Sequence, residues 1–436
     1  MRAVLLPFSW LLFFSGELPA GPGDDLRWQT PLAVAAGEAF QGRWRMNDSD
    51  FRFVDDAAVA VNDRGKAGMV WADQARQDIH FQLYDAEGSA RFDEAVNISA
   101  SPEIFSWLPR VLISDDDARE VHVLWQEIVF SGGSHGGEIF FARSTDGGAS
   151  FSEPLNLSRT TAGAGKGRLS RNVWDNGSLD LARGPDNHLY AAWTEYEGAL
   201  RLAHSTDGGE SFSEARHIAG SDEQPARAPS LAVHNDRVCL GWTHGEDPQA
   251  DIHLACSDDR GETFEKLGAV TDTDGLSDAP DIAFDNRGTL HQVHGEEPES
   301  LLRRDHIRYA RWEAGTTGFS DATELVEVPD GFHRAGFPAI RIDDDDGVWI
   351  LADLFARGDR RASALALTHS RDGGKTFGAL ELVPGSPAPE GGNLGSRQGR
   401  LLERFAVTDP DHLVITLSTF LEGESSHVYL LRRDPE

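Results

Sequence analysis

The chain has 436 residues and a formal net charge of −32 at pH 7, from 72 acidic and 40 basic side chains. That balance argues against nucleic acid and anionic membrane surfaces as partners. With two cysteines, no phosphate loop, no dinucleotide fingerprint and no His/Cys metal spacing, neither a cofactor nor a metal is expected.

Residues 1–20 read as a secretory signal. Arg2 precedes an apolar run, Ala3–Gly16, too short to span a bilayer, and Ala20 is a plausible cleavage position. The mature chain is then a single domain, 21–436, secreted or periplasmic and not inserted in a membrane. Four Asn-x-Ser sequons occur, at Asn47, Asn97, Asn156 and Asn176.

From there the chain repeats itself, and self-similarity at a fixed period sets the architecture. The clearest copies are Ser144-Thr-Asp146-Gly147-Gly148-Ala-Ser-Phe151, Ser205-Thr-Asp207-Gly208-Gly209-Glu-Ser-Phe212, Ser257-Asp-Asp259-Arg-Gly261-Glu-Thr-Phe264 and Ser370-Arg-Asp372-Gly373-Gly374-Lys-Thr-Phe377. The Asp accepts backbone N–H bonds and closes a turn, the glycines supply positive φ, and the Phe anchors the next strand. Degenerate copies end at Phe92 (from Tyr84-Asp85) and Phe319 (from Trp312), so the anchors recur every 52–61 residues. Each unit carries a short apolar strand, an acidic turn such as Ser114–Asp117 or Asp343–Asp346, a second strand, a third running into the phrase, and a fourth. Four antiparallel strands per unit make a propeller blade. The units lie near 50–99, 106–160, 178–220, 226–272, 277–328 and 336–385. The Gly-rich stretches Ser131–Gly137 and Ala162–Gly167 read as loops, one within a blade and one between blades.

The tail reads as three more strands, Leu401–Thr408, Leu413–Thr419 and Ser426–Arg432. Near the start, Trp28-Gln-Thr-Pro31-Leu32 matches Phe151-Ser-Glu-Pro154-Leu155, so Trp28–Ala35 is expected as the outer strand of a composite last blade, 401–432 closed by 28–35. The fold class is all-β, a seven-bladed β-propeller. With the tail as an appendage, six blades remain. Cys239 and Cys256 sit on the second and third strands of one blade, opposite each other across a hairpin centred near Asp247. They are either a cross-strand disulfide or two buried thiols.

The four phrases resemble the Asp box of the sialidase-like β-propellers, also called BNR repeats. Sialidases are six-bladed. The resemblance implies a functional face at the axis, built from the loops after second strands and the segments leading into first strands. The acidic turns lie on the opposite face, as solvated turns. The functional face then presents Arg52, Arg110, Asp175, Arg227, Asp278, Arg334 and Arg397 between Asp73, Glu127, Glu195, His244, His294 and Asp353. Arginines converging from separate blades suit an anionic group. Acids and arginines pairing with each other, or with backbone N–H groups, are the structural alternative.

Sialidases hold the sugar carboxylate with three arginines and use an Asp acid/base with a Tyr–Glu nucleophile. Phe51-Arg52-Phe53-Val54 echoes their Phe-Arg-Ile-Pro, displaced by about three residues, and Val70–Ile79, with Asp73 and Arg76, is similar to the stretch before their first Asp box. On that match Arg52 is the first carboxylate arginine, Arg227 and Arg334 complete the triad, and Asp78 is the acid/base. Tyr196 is the one tyrosine expected on the functional face; Glu127, from the preceding blade, is its candidate base. No tyrosine opens a late blade, where Arg334 and Arg397 stand instead. The expected function is therefore binding of a glycan or other polar or anionic ligand. The alternatives are a sialidase-like glycoside hydrolase and a protein-interaction scaffold. Oligomeric state is not specified.

Overall fold

The computed structural model describes residues 27–129, 137–271, 275–297 and 306–433, apart from 314, 317, 326, 400 and 402. The expected signal segment and most of the Ser131–Gly137 loop lie outside the described residues.

Seven antiparallel sheets follow one another around a ring. From the axis outward, blade 1 is Val54–Val61, Ala67–Asp73, Asp78–Tyr84 and Val96–Asn97, and blade 2 is Ser106–Ile113, Val121–Glu127, Glu138–Ser144 and Leu155–Asn156. Blade 3 is Leu179–Arg183, Leu189–Thr194, Leu200–Ser205 and Arg216–Ala219; blade 4 is Ala226–His234, Arg237–His244, Asp251–Ser257 and Glu265–Ala269. Blade 5 is Leu276–Phe284, Leu290–Glu297, His306–Trp312 and Thr323–Leu325; blade 6 is Arg334–Ile342, Val348–Phe355, Ala364–Ser370 and Glu381–Leu382. Blade 7 takes Asn393–Leu394, Phe405–Val407, Leu413–Leu421 and Ser425–Arg432 from the end of the chain and Leu32–Gly37 from its beginning, its inner strand being two short pieces in place of the expected Leu401–Thr408. Leu32 pairs with Leu430 and Gly37 with Ser426, and Trp28 bridges to Arg433. The paired segment begins later than Trp28–Ala35 because Pro31, which has no N–H to donate, stands just before it. Among the described residues there is no α-helix.

The second strands are the most deeply buried, and their tryptophans Trp125, Trp193, Trp242 and Trp349 fill the spaces between blades. The turn phrases close the seams. At Ser144–Phe151, Asp146 accepts the Ser150 N–H and hydroxyl and the Ser144 hydroxyl, while Ser144 Oγ accepts the Gly148 N–H. The same set recurs at Asp207, Asp259 and Asp372. These bonds, the Ser150 hydroxyl foremost, hold the Asp146 carboxyl down at about 2. The anchors then cross to the preceding blade: Phe151 meets Phe81 edge-on at 5.5 Å, Phe212 meets Phe141 at 4.8 Å, and Phe377 meets Tyr309 at 4.7 Å. Gly148, at φ 84°, is required twice, by its backbone and because a Cβ would overlap the Phe81 ring.

Five first strands carry a bulge close to one end of the ring, with Asp56, Leu108, Ala228, Ala279 or Phe337 at positive φ. Proline follows in four of them, at Pro109, Pro229, Pro280 and Pro338. The freed N–H groups stitch neighbouring blades: Leu108 donates to Asp56, Ala228 to Ser178 and Ala279 to Thr243.

Candidate functional site

First strands run from one end of the ring to the other and second strands return. The loops after second strands and the segments leading into first strands therefore share one end, the mouth, and the turn phrases share the other. The bulges sit just inside the mouth. The residues that follow them, Arg110, Ser230 and Asp281, line an axial cavity of about 70 Å³ together with Asp180, Arg341, Glu403 and Arg404.

The cavity is an ionic network. Arg341 reaches Asp281 at 2.9 Å and Glu403 at 3.7 Å. Arg110 is buried and donates to the carbonyls of Gly177 and Leu401. Burial raises the Asp180 carboxyl. Burial and then the Asp180 charge push Glu403 up to about 8, against the pull of Arg341 and Arg110. Asp56 is raised by burial to about 6, eased by the Ser396 hydroxyl and the Leu108 N–H.

A second recess adjoins this cavity through Phe337 and Arg404 and lies at the mouth between blades 6 and 7. Arg404 lies 2.6 Å from Asp353 and its Nε has no hydrogen-bond partner among the described residues. Arg361 donates to the Ser396 carbonyl at 2.8 Å, and Arg360 is exposed at the rim. Together the two spaces carry five arginines (Arg110, Arg341, Arg360, Arg361, Arg404) against four acids (Asp180, Asp281, Asp353, Glu403). Two of those acids are biased toward their neutral form, so the lining is cationic in a chain that is strongly anionic.

A third recess lies beside Phe337 and brings together three sequence-predicted residues, Asp175, Arg227 and Asp278. Arg227 is buried. It pairs with Asp278 at 3.1 Å and with Asp247, and donates to the carbonyls of Arg168 and Gly245.

Two small hairpins outside the blades stand at the mouth. One pairs Phe40–Gln41 with Phe51–Arg52 ahead of blade 1. Asn47 ties it down, donating to the Ile128 carbonyl and accepting the Phe105 N–H, while Trp44 stacks on Trp107 with ring centres 5.5 Å apart. The other pairs Lys166–Ser170 with Val173–Asn176 ahead of blade 3. It crosses toward blade 7, where Asn176 bridges to Gly399, and toward blade 4, where Arg168 meets Glu246 at 3.0 Å. The Ala162–Gly167 stretch thus leads into a strand and is not a plain loop.

Arg52 and Arg334 line none of these three spaces. Arg52 is on the first hairpin, ahead of the first strand and not at its start, paired with Glu38 at 2.7 Å and Asp50 at 3.1 Å. Arg334 lies over the Phe355 ring at 3.7 Å. Arg397 bonds Gln41 through Nε, donates its N–H to Asp55 and covers Phe420. Asp73 caps the turn to Arg76. Asp78 accepts bonds from Asn97, Ser99 and Ser101. Glu138 and Asp251 take equivalent bonds from Ser158 and Thr271, so this carboxylate belongs to the repeat. Glu127 accepts from Ser101 at 2.7 Å and Trp125 at 3.0 Å, and burial raises it. Glu195 pairs with Arg201 at 3.1 Å.

Tyr196 is buried with its hydroxyl 3.4 Å from the Gln126 amide and its ring 5.2 Å from Lys166 Nζ; burial raises the phenol and lowers the ammonium. His244 packs on the His253 ring at 4.3 Å and is lowered by burial, and His294 is buried and lowered to about 4. Cys239 and Cys256 form a disulfide across paired strands. Sequence reading missed Asp180, Asp281, Arg341, Glu403, Arg404 and the Arg360-Arg361 pair. The recurrent x-Pro step in four first strands signals only Asp281 among these, because the residue after it lines the axial cavity; the others carry no such mark.

No protein-family model matches the chain, and no curated protein does. Among solved structures, a polysaccharide lyase PL25 ulvan lyase bound to -[GlcA(1-4)Rha3S]- is similar with a TM-score of 0.59 at 13% identity, covering 93% of this chain and 96% of that one. The polysaccharide lyase Uly1 is similar at 0.55 and 10% identity, covering 94% and 100%. A Trypanosoma rangeli sialidase overlaps more loosely, at 0.45 and 11% identity over 75% of this chain and 58% of that one. At these identities the likeness to the two lyases is one of fold, and the chain is a seven-bladed β-propeller.

Proposed function

We propose that this protein is a secreted propeller of Asp-box type that binds an acidic polysaccharide at its axial mouth. The observation that carries the reading is the recess holding Arg360, Arg361 and Arg404 on a chain of net charge −32. Cations gathered against the prevailing charge suit carboxylate or sulfate groups, which arginine captures with paired donors. The disulfide and the expected signal at residues 1–20 accord with an oxidising compartment. No helix among the described residues is long and apolar enough to cross a membrane. The polysaccharide named in the ulvan lyase complex is an acidic one.

The test is affinity electrophoresis and calorimetry with alginate, polygalacturonate and a glucuronate–rhamnose-3-sulfate polymer, with dextran as neutral control. One or more polyanions should bind with salt-sensitive affinity, and Arg360→Ala should weaken that binding about tenfold. Equal retention of dextran, or no retention of any polyanion, overturns the reading.

A second reading, that the bound polymer is also cut, is favoured by Tyr196 lying beneath Lys166 at the mouth. Burial lowers the Lys166 ammonium toward working pH, the direction that suits a base taking the proton from C5 of a uronate, while the Tyr196 phenol, kept neutral by burial, is placed to give a proton to the leaving O4. Release of an unsaturated uronate, followed by ultraviolet absorbance and abolished by Tyr196→Phe, would establish it. Hydrolysis is the weaker alternative, since Asp78 and Glu127 are committed to donors around their own strands. A protein-interaction scaffold needs no such arginine recess.

A further inference from the structure

Six large hydrophobic residues are exposed among the described residues, and four of them, Phe40, Trp44, Val173 and Trp174, lie on the two mouth hairpins. Neither hairpin belongs to a blade, so these side chains complete no seam. The indoles are held rather than loose. Trp44 stacks on Trp107 and on Phe51, and Trp174 Nε1 donates to the Tyr196 carbonyl at 2.9 Å. Each Trp is nonetheless 40% exposed. Exposed cations flank both: Arg43 and Arg45 bracket Trp44, and Arg171 precedes Val173-Trp174. Both hairpins carry more basic than acidic residues, against the trend of the whole chain.

A fixed, half-exposed indole beside arginines suits the apolar face of a pyranose ring whose rim carries carboxylate or sulfate. Trp and Arg are also common at protein interfaces; the arginine recess at the same mouth is what favours an acidic polysaccharide here. We propose that the two hairpins are outer subsites of a polysaccharide cleft crossing the mouth. Trp44 and Trp174 stack on sugar rings there, and Arg43, Arg45 and Arg171 meet the acidic groups. This rests on the acidic-polysaccharide reading above and adds to it that the ligand is a chain long enough to span several sugars, not a terminal residue alone.

The experiment compares each of the three acidic polymers with its disaccharide on the full chain. Trp174→Ala and Trp44→Ala should each weaken polymer binding about fivefold to tenfold and leave disaccharide binding within about twofold. Trp174→Phe should restore most of the loss, and Arg171→Glu should weaken the polymer alone. Leu267→Ala and Leu382→Ala, which remove the other two exposed hydrophobics on outer strands, should change nothing. Unchanged polymer binding in both Trp variants overturns the subsites while Arg360→Ala still reports the central site. Equal loss for polymer and disaccharide, loss in the two leucine controls, or loss of a protein partner with polymer binding intact overturns them too. If the parent protein binds no acidic polymer, Arg360→Ala is silent and both readings fall together.

Discussion

Glu403 shows how one residue can matter without being visible in sequence. Its identity is ordinary, and no pattern marks it. What sets it apart is the axis, where burial and the Asp180 charge both oppose its ionisation. The folded chain therefore keeps this proton to a higher pH than the unfolded chain does. A group raised in this way contributes stability fully below its unfolded value, near 4.5, and loses that contribution as pH climbs through about 8. Glu403→Gln keeps a neutral side chain at every pH, and Arg341 retains Asp281 as its partner. The variant should lie within about 1 kcal/mol of the parent at pH 5 and gain on it by up to about 4 kcal/mol by pH 9 in urea unfolding. An equal difference at both pH values would show that Glu403 does not titrate in this range. The same blindness explains Asp78. A carboxylate at the start of a third strand looks catalytic beside a family motif, yet Glu138 and Asp251 repeat its bonding in other blades.

At the scale of the element, legibility followed mechanism. The turn phrases were readable because every residue in them has a local job. The disulfide partners were readable because a hairpin fixes register: Cys239 faces Cys256. The mouth hairpins were not, since one has strands of only two residues and the other grows from a glycine-rich stretch. The structure adds a reason for the disulfide's position. Blades 1, 2 and 5 offer Phe81, Phe141 and Tyr309 to the next blade's anchor. Blades 3, 4 and 6 have Leu202, Leu254 and Leu367 at the matching place, and the phrase that packs on blade 4 is the degenerate one at Trp312–Phe319. The disulfide lies in that seam, in one cluster with Leu254, Ile282 and Leu290. It ties the second and third strands of blade 4 together inside that cluster. Replacing both cysteines by alanine should cost about 3 kcal/mol of unfolding free energy. Hydrogen exchange should quicken first in blades 4 and 5. A loss spread evenly over all blades would contradict the seam account.

For the whole molecule, the blade count was the most legible feature and the site the least. Anchor periodicity gave six units, and matching the two chain ends gave the seventh. A recess assembled from blades 6 and 7 and the axis has no sequence signature, because its arginines sit up to dozens of residues apart and meet only when the ring closes. Closure itself rests on the paired chain ends and the core they share with blade 1. Leu32–Gly37 pairs with Leu430–Ser426, and Ser426 Oγ joins the Val54 N–H to the Glu38 carbonyl, tying blade 7 to blade 1. The first mouth hairpin begins three residues after that strand, and Gln41 within it holds Arg397 beside the arginine recess. Removing residues 1–37 should therefore do two things at once. It bares the Ser425–Arg432 edge, so the chain should associate in sedimentation runs. It also releases the hairpin, so binding of an acidic polymer should fall at least tenfold even in the fraction that stays monomeric. A truncated chain that remained monomeric, unfolded at the parent's midpoint and bound as the parent does would show that the ring and its mouth do not depend on this strand.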